Sequence, residues 1–300
     1  MAGLGQNVGT NFTLTSRMNG DLTVGGVNYR AWYFTDGSPM AGTGFLGTRD
    51  VPSAHIECPE GQETAITFVN RSPMDHTIHL HGLDVDQAND GVPSTSFAVP
   101  PMGSTVYRFT PSAAGTYHYH CHVDTVIHYA RGMYGTVIVR PPGGETNLAW
   151  TGGPTFDEEV LWQLGTVDTT WMNLSTSGPG TARFRPDGFL LNGRETAAAT
   201  ADPYTKVVFQ RGETAYIRIA NYSYQWARVR LGGLSFQVVA SDGRPMQSAP
   251  TVTEWELGPG ERYDILLTGA QVGSWTAVVE YLDDYTGGVF GSVSTAIQVL

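Results

Sequence analysis

The chain has 300 residues, 41% hydrophobic and 15% charged: apolar enough to build sizeable cores, and too poor in charge for a disordered chain. Seventeen basic residues against twenty-eight acidic ones leave a net charge of −11, which lacks the basic footprint of a nucleic-acid binder. No apolar run approaches the ~18–20 residues of a membrane-spanning helix, and at ~100–200 residues per domain the length favours two domains.

The N-terminal segment, with Met1-Ala2-Gly3 running into Gln6-Asn7-Val8-Gly9, has neither a basic stretch nor an apolar core, so no export signal is expected in it. Strand-like runs then dominate, among them 65–70, 105–109 and 136–140, separated by turn residues at Pro59-Glu60-Gly61, Pro100-Pro101-Met102-Gly103 and Ala114-Gly115. No amphipathic helix is expected. Short strands with frequent turns predict an all-β chain of sandwich or barrel type. Arg140-Pro141-Pro142-Gly143-Gly144 reads as a domain end. The expected division is a first domain over 1–143, a connector over 144–180 carrying one strand (159–164), and a second β domain over 181–300. The segment CPEGQETAITFVNRS (58–72) echoes FQRGETAYIRIANYS (209–223), which suggests a duplicated unit.

Eight histidines stand at 55, 76, 79, 81, 118, 120, 122 and 128, seven of them between 76 and 128 and none in the second half. His55 reads as an ordinary structural residue; the seven do not. Strand side chains alternate between faces. In HTIHLH (76–81), His79 and His81 share one face and His76 takes the other. In HYHCH (118–122), three histidines share one face and Cys121 takes the other. Two metal sites back to back follow. Cys121, His76, His128 and Met133 together offer a thiolate, two imidazoles and a thioether, the ligand set of a blue-copper centre. Zinc also takes Cys and His, but the thioether and the lack of a second nearby cysteine favour copper. The opposite face gathers His79, His81, His120 and His122. His118 is either a further ligand or a histidine in an aromatic's place, and is kept as a catalytic candidate. Among Asp84, Asp86 and Asp90, Asp84 lies nearest the His-Leu-His-Gly turn and is the carboxylate expected to orient an imidazole or move protons; Asp86 and Asp90 read as loop residues. Cys121 is bonded through the chain to His120 and His122, a short covalent route between the sites that suits redox catalysis better than storage.

Of the remaining residues, Met40, Met74 and Met102 read as packing, Cys58 as an unpaired thiol, and Glu280, Asp283 and Asp284 as solvated. Tyr222, Tyr224 and Trp226 either shape a pocket against the imidazoles or belong to the second core.

HTIHLHG (76–82) and GTYHYHCHVDTVIHYARGMYGTVIV (115–139) resemble the cupredoxin domains of multicopper oxidases, chiefly the small two-domain laccases, with copper nitrite reductases as cousins. LLNGR, RGETAYIRIANYS, VVASDGRP and LGPGERYDILL resemble the copper-free middle domain of three-domain laccases. The resemblance implies two Greek-key cupredoxin-like sandwiches in tandem and type 1 copper on His76, Cys121, His128 and Met133. It assigns half of a trinuclear copper cluster to His79, His81, His120 and His122. It further implies a small organic reductant, O2 as oxidant, a homotrimer, and a periplasmic or secreted location. The family pattern needs about four more histidines from the second domain, and ANYSYQWARVRLGG (220–233) and GSWTAVVEYLDD (273–284) stand where they are expected. A full trinuclear cluster cannot form from this chain alone, and the same gap weakens a nitrite-reductase reading. The expected function is a copper oxidoreductase with one blue copper and a reduced imidazole site. The alternatives are an electron carrier without chemistry of its own and a subunit that borrows ligands from another chain.

Overall fold

The computed structural model describes residues 4, 5, 8–36, 50–178 and 180–300; Met40 and most of the N-terminal segment lie outside them. Alternating burial along the strands, such as that of Val289–Val299, follows from one face meeting a core and the other meeting water. Two sandwiches result. In the first, a sheet in the order Val27–Thr35, Asn11–Val24, Thr64–Asn70, Ser104–Phe109 packs on one in the order Ile56–Pro59, Tyr134–Arg140, Gly115–His120, His79–His81. Their shared core includes Phe34, Phe68, Ile78, Tyr119, Val137, Cys121 and Met133. The second sandwich packs a seven-stranded sheet on a five-stranded one around Trp162, Leu164, Ile217, Val229, Phe236 and Ile297.

The strand expected inside the connector runs Glu158–Val167 and sits in the second sandwich's larger sheet, parallel to Ala215–Asn221. Two short helices, Thr125–Ala130 and Thr196–Ala201, stand where none was expected. At six residues each they are too short to print a 3.6-residue pattern on the sequence.

The sequence echo has a structural counterpart. Asn70 Nδ2 donates to the carbonyl of Met74, and Ser72 Oγ donates both to Asn70 Oδ1 and to the same carbonyl. Asn221, Ser223 and Gln225 repeat these three bonds. The offset, 221 − 70 = 151, is the offset of the echoed segments, 209 − 58 = 151. On that offset Ala227, Arg230 and Gly232 occupy the places of His76, His79 and His81. The second sandwich fills this region with cross-strand ion pairs. Arg228 meets Glu256 and Glu280, and Arg230 meets Glu254 and Glu280, so Glu280 is not the free solvated group expected.

A buried chain of charges joins the sandwiches. Arg140 of the first contacts Glu57 at 2.6 Å and Glu159 of the second at 2.8 Å; Arg218 holds Glu159 at 2.6 Å and Asp264 at 3.5 Å. Thr116 of the first sandwich donates to Asp264 at 2.7 Å. Gly115 lies so close to Gly243 that an added Cβ would stand 2.6 Å from the Gly243 Cα, so this seam excludes side chains. Burial alone would raise the Glu57 pKa, but His55 and Arg140 overcome it and hold the carboxyl down at about 2, against an ordinary 4.5. A depressed folded-state value stabilises above the unfolded pKa and ceases to do so as pH falls through the folded one. Glu57→Gln is therefore expected to lose on the order of 3 kcal/mol at neutral pH. In urea unfolding the gap from the parent chain should hold above pH 4.5 and close toward about pH 2.

Candidate metal centre

The site begins with a three-rung antiparallel ladder: His79 pairs with His120, Leu80 with Tyr119 and His81 with His118. Directly opposed residues project from the same face. Four imidazoles thus emerge together while Leu80 and Tyr119 enter the core. The strand ends at His120. Beyond it the Cys121 N–H donates to the Met133 carbonyl and the His122 N–H to Thr77 Oγ1, so neither residue is in regular strand, yet the side chains still part as alternation predicts. His76 is held by a bridge to Val99 in both directions, and His128 comes back on the Thr125–Ala130 helix.

On one side, His76 Nδ1, His128 Nδ1 and Cys121 Sγ form a triangle with edges of 3.2, 3.2 and 3.5 Å. All three residues are buried. Burial pushes His76 down to about 3 and His128 to about 4, leaving neutral imidazoles, and raises the Cys121 thiol to about 11. The Nε2 atoms of His76 and His128 are buried without a hydrogen-bond partner. Three soft donors converging in a dry space are poorly satisfied by one another and well satisfied by an ion at their centre, which would displace the thiol proton. Met133 is fully buried in the same core and bonded through its backbone to Cys121 and His128.

On the other side, His79, His81 and His120 bring one ring nitrogen each to within 4.8 Å of one another. His122 joins them, 5.2 Å ring to ring from His79, and His118 lies 5.3 Å from His81 and 4.9 Å from His120. Burial lowers His120 to about 3; burial, then Arg262, lowers His81 to about 4; burial drives His118 well below its ordinary value. These are neutral donors, as metal binding requires.

Among the described residues, the carboxylate that approaches a ring nitrogen of this cluster is that of Asp90. His79 Nδ1 donates to its carbonyl at 2.7 Å, with a carboxylate oxygen at 3.3 Å. Asp84, the expected group, is instead largely exposed, held by Arg244 at 3.0 Å and by Ser112 at 2.7 Å. Nearness along the chain is not nearness in space here, because the loop after His81 turns away before returning at Asp90.

The second sandwich of the same chain covers part of the cluster. Tyr222 stacks on His118 at 4.3 Å and shares a hydrogen bond with Thr136 Oγ1 at 2.5 Å. Tyr129 Oη lies 3.3 Å from His118 Nε2. Tyr224 donates to the Val126 carbonyl, while Trp226 stays 43% exposed. Arg262 passes directly beneath Gly82, where a Cβ would stand 2.5 Å from its guanidinium, so the glycine of the His-Leu-His-Gly turn admits it. Tyr129 and Arg262 were invisible to sequence reasoning; only the adjacency of Tyr129 to His128 hinted at either. The His79 and His122 flank remains more open, with His122 lining a cavity of about 410 Å³ beside Asp75, Pro93 and Asp124.

Cys58 is a buried free thiol, pushed up to about 12 by burial, with no place in either group. His55 pairs with Glu57 at 3.0 Å.

Family models described as multicopper oxidase match residues 26–144 and 162–299. The multicopper oxidase MmcO of Mycobacterium tuberculosis is 28% identical over 78% of this chain and 49% of its own length. A laccase of Arthroderma benhamiae is 30% identical over 68% of this chain and 32% of its own. The chain spans less than half the length of the curated relatives it matches. The blue copper oxidase of Nitrosomonas europaea superposes with a TM-score of 0.75 over 96% of this chain and 85% of its own, at 24% identity, and the multicopper oxidase mgLAC with 0.74 over 96% and 86%. These likenesses support the cupredoxin-like sandwich fold, and the two matched models imply copper as the cofactor. With two multicopper oxidase models spanning nearly its whole length, the chain belongs to the multicopper oxidase family.

Proposed function

We propose that the chain is a copper-dependent oxidoreductase in which His76, Cys121, His128 and Met133 hold a type 1 copper. His79, His81, His120 and His122, with His118 in contact, hold a smaller imidazole-bound copper site. The observation that carries this is the pair of donor groups on opposite sides of one backbone, joined by the consecutive residues His120, Cys121 and His122. Copper in these sites would supply one-electron oxidation of an organic reductant on the Cys121 side and reduction of O2 on the imidazole side.

The protein's own residues do the rest. Cys121 gives up its proton to become a ligand, the backbone of residues 120–122 fixes the spacing, and the dry core around Ile78, Tyr119 and Met133 keeps water from the sulfur. Asp90 fixes the ring of His79 through its Nδ1 proton, leaving Nε2 as the donor. Tyr222 and Tyr129 press His118 into one orientation. No histidine reaches the cluster from the second sandwich, which favours fewer coppers than a complete trinuclear site. Because that sandwich already covers the His118 side, the homotrimer implied by the resemblance would meet the cluster from the His79 and His122 flank. By the same resemblance the protein acts in the periplasm or outside the cell.

Copper quantitation with absorption and EPR spectroscopy tests the reading. The loaded chain should show an intense visible thiolate-to-copper band and more than one copper per chain, and Cys121→Ser should lose the band while keeping imidazole-bound copper. Copper binding without that band overturns it; one copper per chain and no oxidation of phenols selects the electron-carrier reading.

A second measurement separates the two carboxylates. In the Cys121→Ser background, Asp90→Ala removes the carboxylate 3.3 Å from His79 Nδ1 but keeps the main-chain bond, so it should weaken Cu(II) binding measurably but by less than about tenfold. Asp84→Ala should titrate like its parent.

A further inference from the structure

A second cavity, of about 620 Å³, lies on the first sandwich away from the imidazole cluster, and its walls carry Arg17, Arg30, Arg71 and Arg131 around Trp32. Four of the seventeen basic residues of an acidic chain thus line one cavity. Among the described residues none of the four forms an ion pair with a carboxylate, and the segments outside them contain no Asp or Glu. Arg131 is the sharpest case. It is 5% exposed, spends its Nη atoms on the carbonyls of Leu174 and Arg30, and leaves Nε without a partner. A buried guanidinium without a counter-charge is costly, and an anion in the cavity would relieve it. Arg30 and Arg71 stand exposed at the mouth.

The local backbone is built for this. The pairing of Asn11–Val24 with Val27–Thr35 shifts register between Arg17 and Gly20, so Met18 and Asn19 are displaced into the cavity wall. Such bulges re-aim side chains beside sites. Arg30 and Trp32 are two apart on one strand and therefore share a face. Trp32 is a wall between two spaces. The Arg131 guanidinium lies 4.4 Å from its ring centre, and its edge meets the His128 imidazole at 5.2 Å and 78°.

We propose that this cavity binds the carboxylate or sulfonate of a small aromatic reductant. Arg30 and Arg71, exposed at the mouth, take the anionic group with the Arg131 charge behind them, and the aromatic ring enters toward the Trp32 wall, one indole away from His128. The volume suits a ligand of that size, and guanidiniums bind such groups with paired, charge-assisted hydrogen bonds. The redox half of this proposal rests on the copper oxidoreductase reading; the binding half does not.

The test therefore uses the copper-free chain. Binding of syringate is compared with that of 2,6-dimethoxyphenol, the same phenol without the carboxylate, by calorimetry and by quenching of tryptophan fluorescence. Syringate should bind at least about tenfold more tightly, and Arg30→Gln and Arg71→Gln, both at exposed positions, should each remove most of that preference. Arg228→Gln, in the ion-pair lattice of the second sandwich, should retain it. Equal or undetectable binding of the two phenols overturns the proposal, and inorganic phosphate binding as tightly as syringate overturns its aromatic part. If syringate binds as expected but the copper-loaded chain leaves it unoxidised, the oxidoreductase reading fails and the anion site stands.

Discussion

Three rungs of antiparallel ladder place the chemistry of this protein. Because His79 faces His120 and His81 faces His118, a single pairing register decides that four imidazoles share a face. A slip of one residue would send them into the core and bring Leu80 and Tyr119 out. The same register carries Cys121 to the far side, where His76 and His128 wait. Everything else supports that alignment. Asn70 ties the approach to His76 by bonding the carbonyls of Met74, Val99 and Pro100, and a short helix returns His128 to the sulfur.

The two groups of donors were legible in the sequence because they depend on alternation, a property of neighbouring residues. His76 and Cys121 could be assigned to one side without knowing where either segment ran. What could not be read depends on distance across the fold. Asp84 is closer to His81 in the chain, but Asp90 is closer to His79 in space, because the intervening loop doubles back. Tyr222 and Arg262 meet the histidines only because two sandwiches dock, and docking leaves no periodic trace. The segment Glu158–Val167 reads as a strand from its own residues, but its place in the second sandwich does not show locally, since its partner Ala215–Asn221 lies about fifty residues onward.

The repeated Asn-Ser turn shows two copies of one design with different contents. In the first copy the residues after the turn are imidazoles that converge; in the second, Arg230 stands in the place of His79 and is matched by Glu254 and Glu280. Interleaved opposite charges satisfy a sheet face with no ion at all, whereas clustered neutral imidazoles leave their lone pairs facing one another. The contrast explains why, among the described residues, groups of ligand-type side chains gather in the first sandwich and ion pairs take their place in the second.

Glu159 touches Arg140 on one side and Arg218 on the other, out of reach of water. Separating the halves would break the Arg140–Glu159 pair while Arg218–Glu159 stayed within the second sandwich, so the seam gives up its cross-domain charge contact as it opens. The same charges tie the two sandwiches together across their seam, and the aromatic residues over His118 belong to both sides of it. The roofed side of the histidines is thus the seam itself, and the side that borders open space is the edge where His122 lines its cavity.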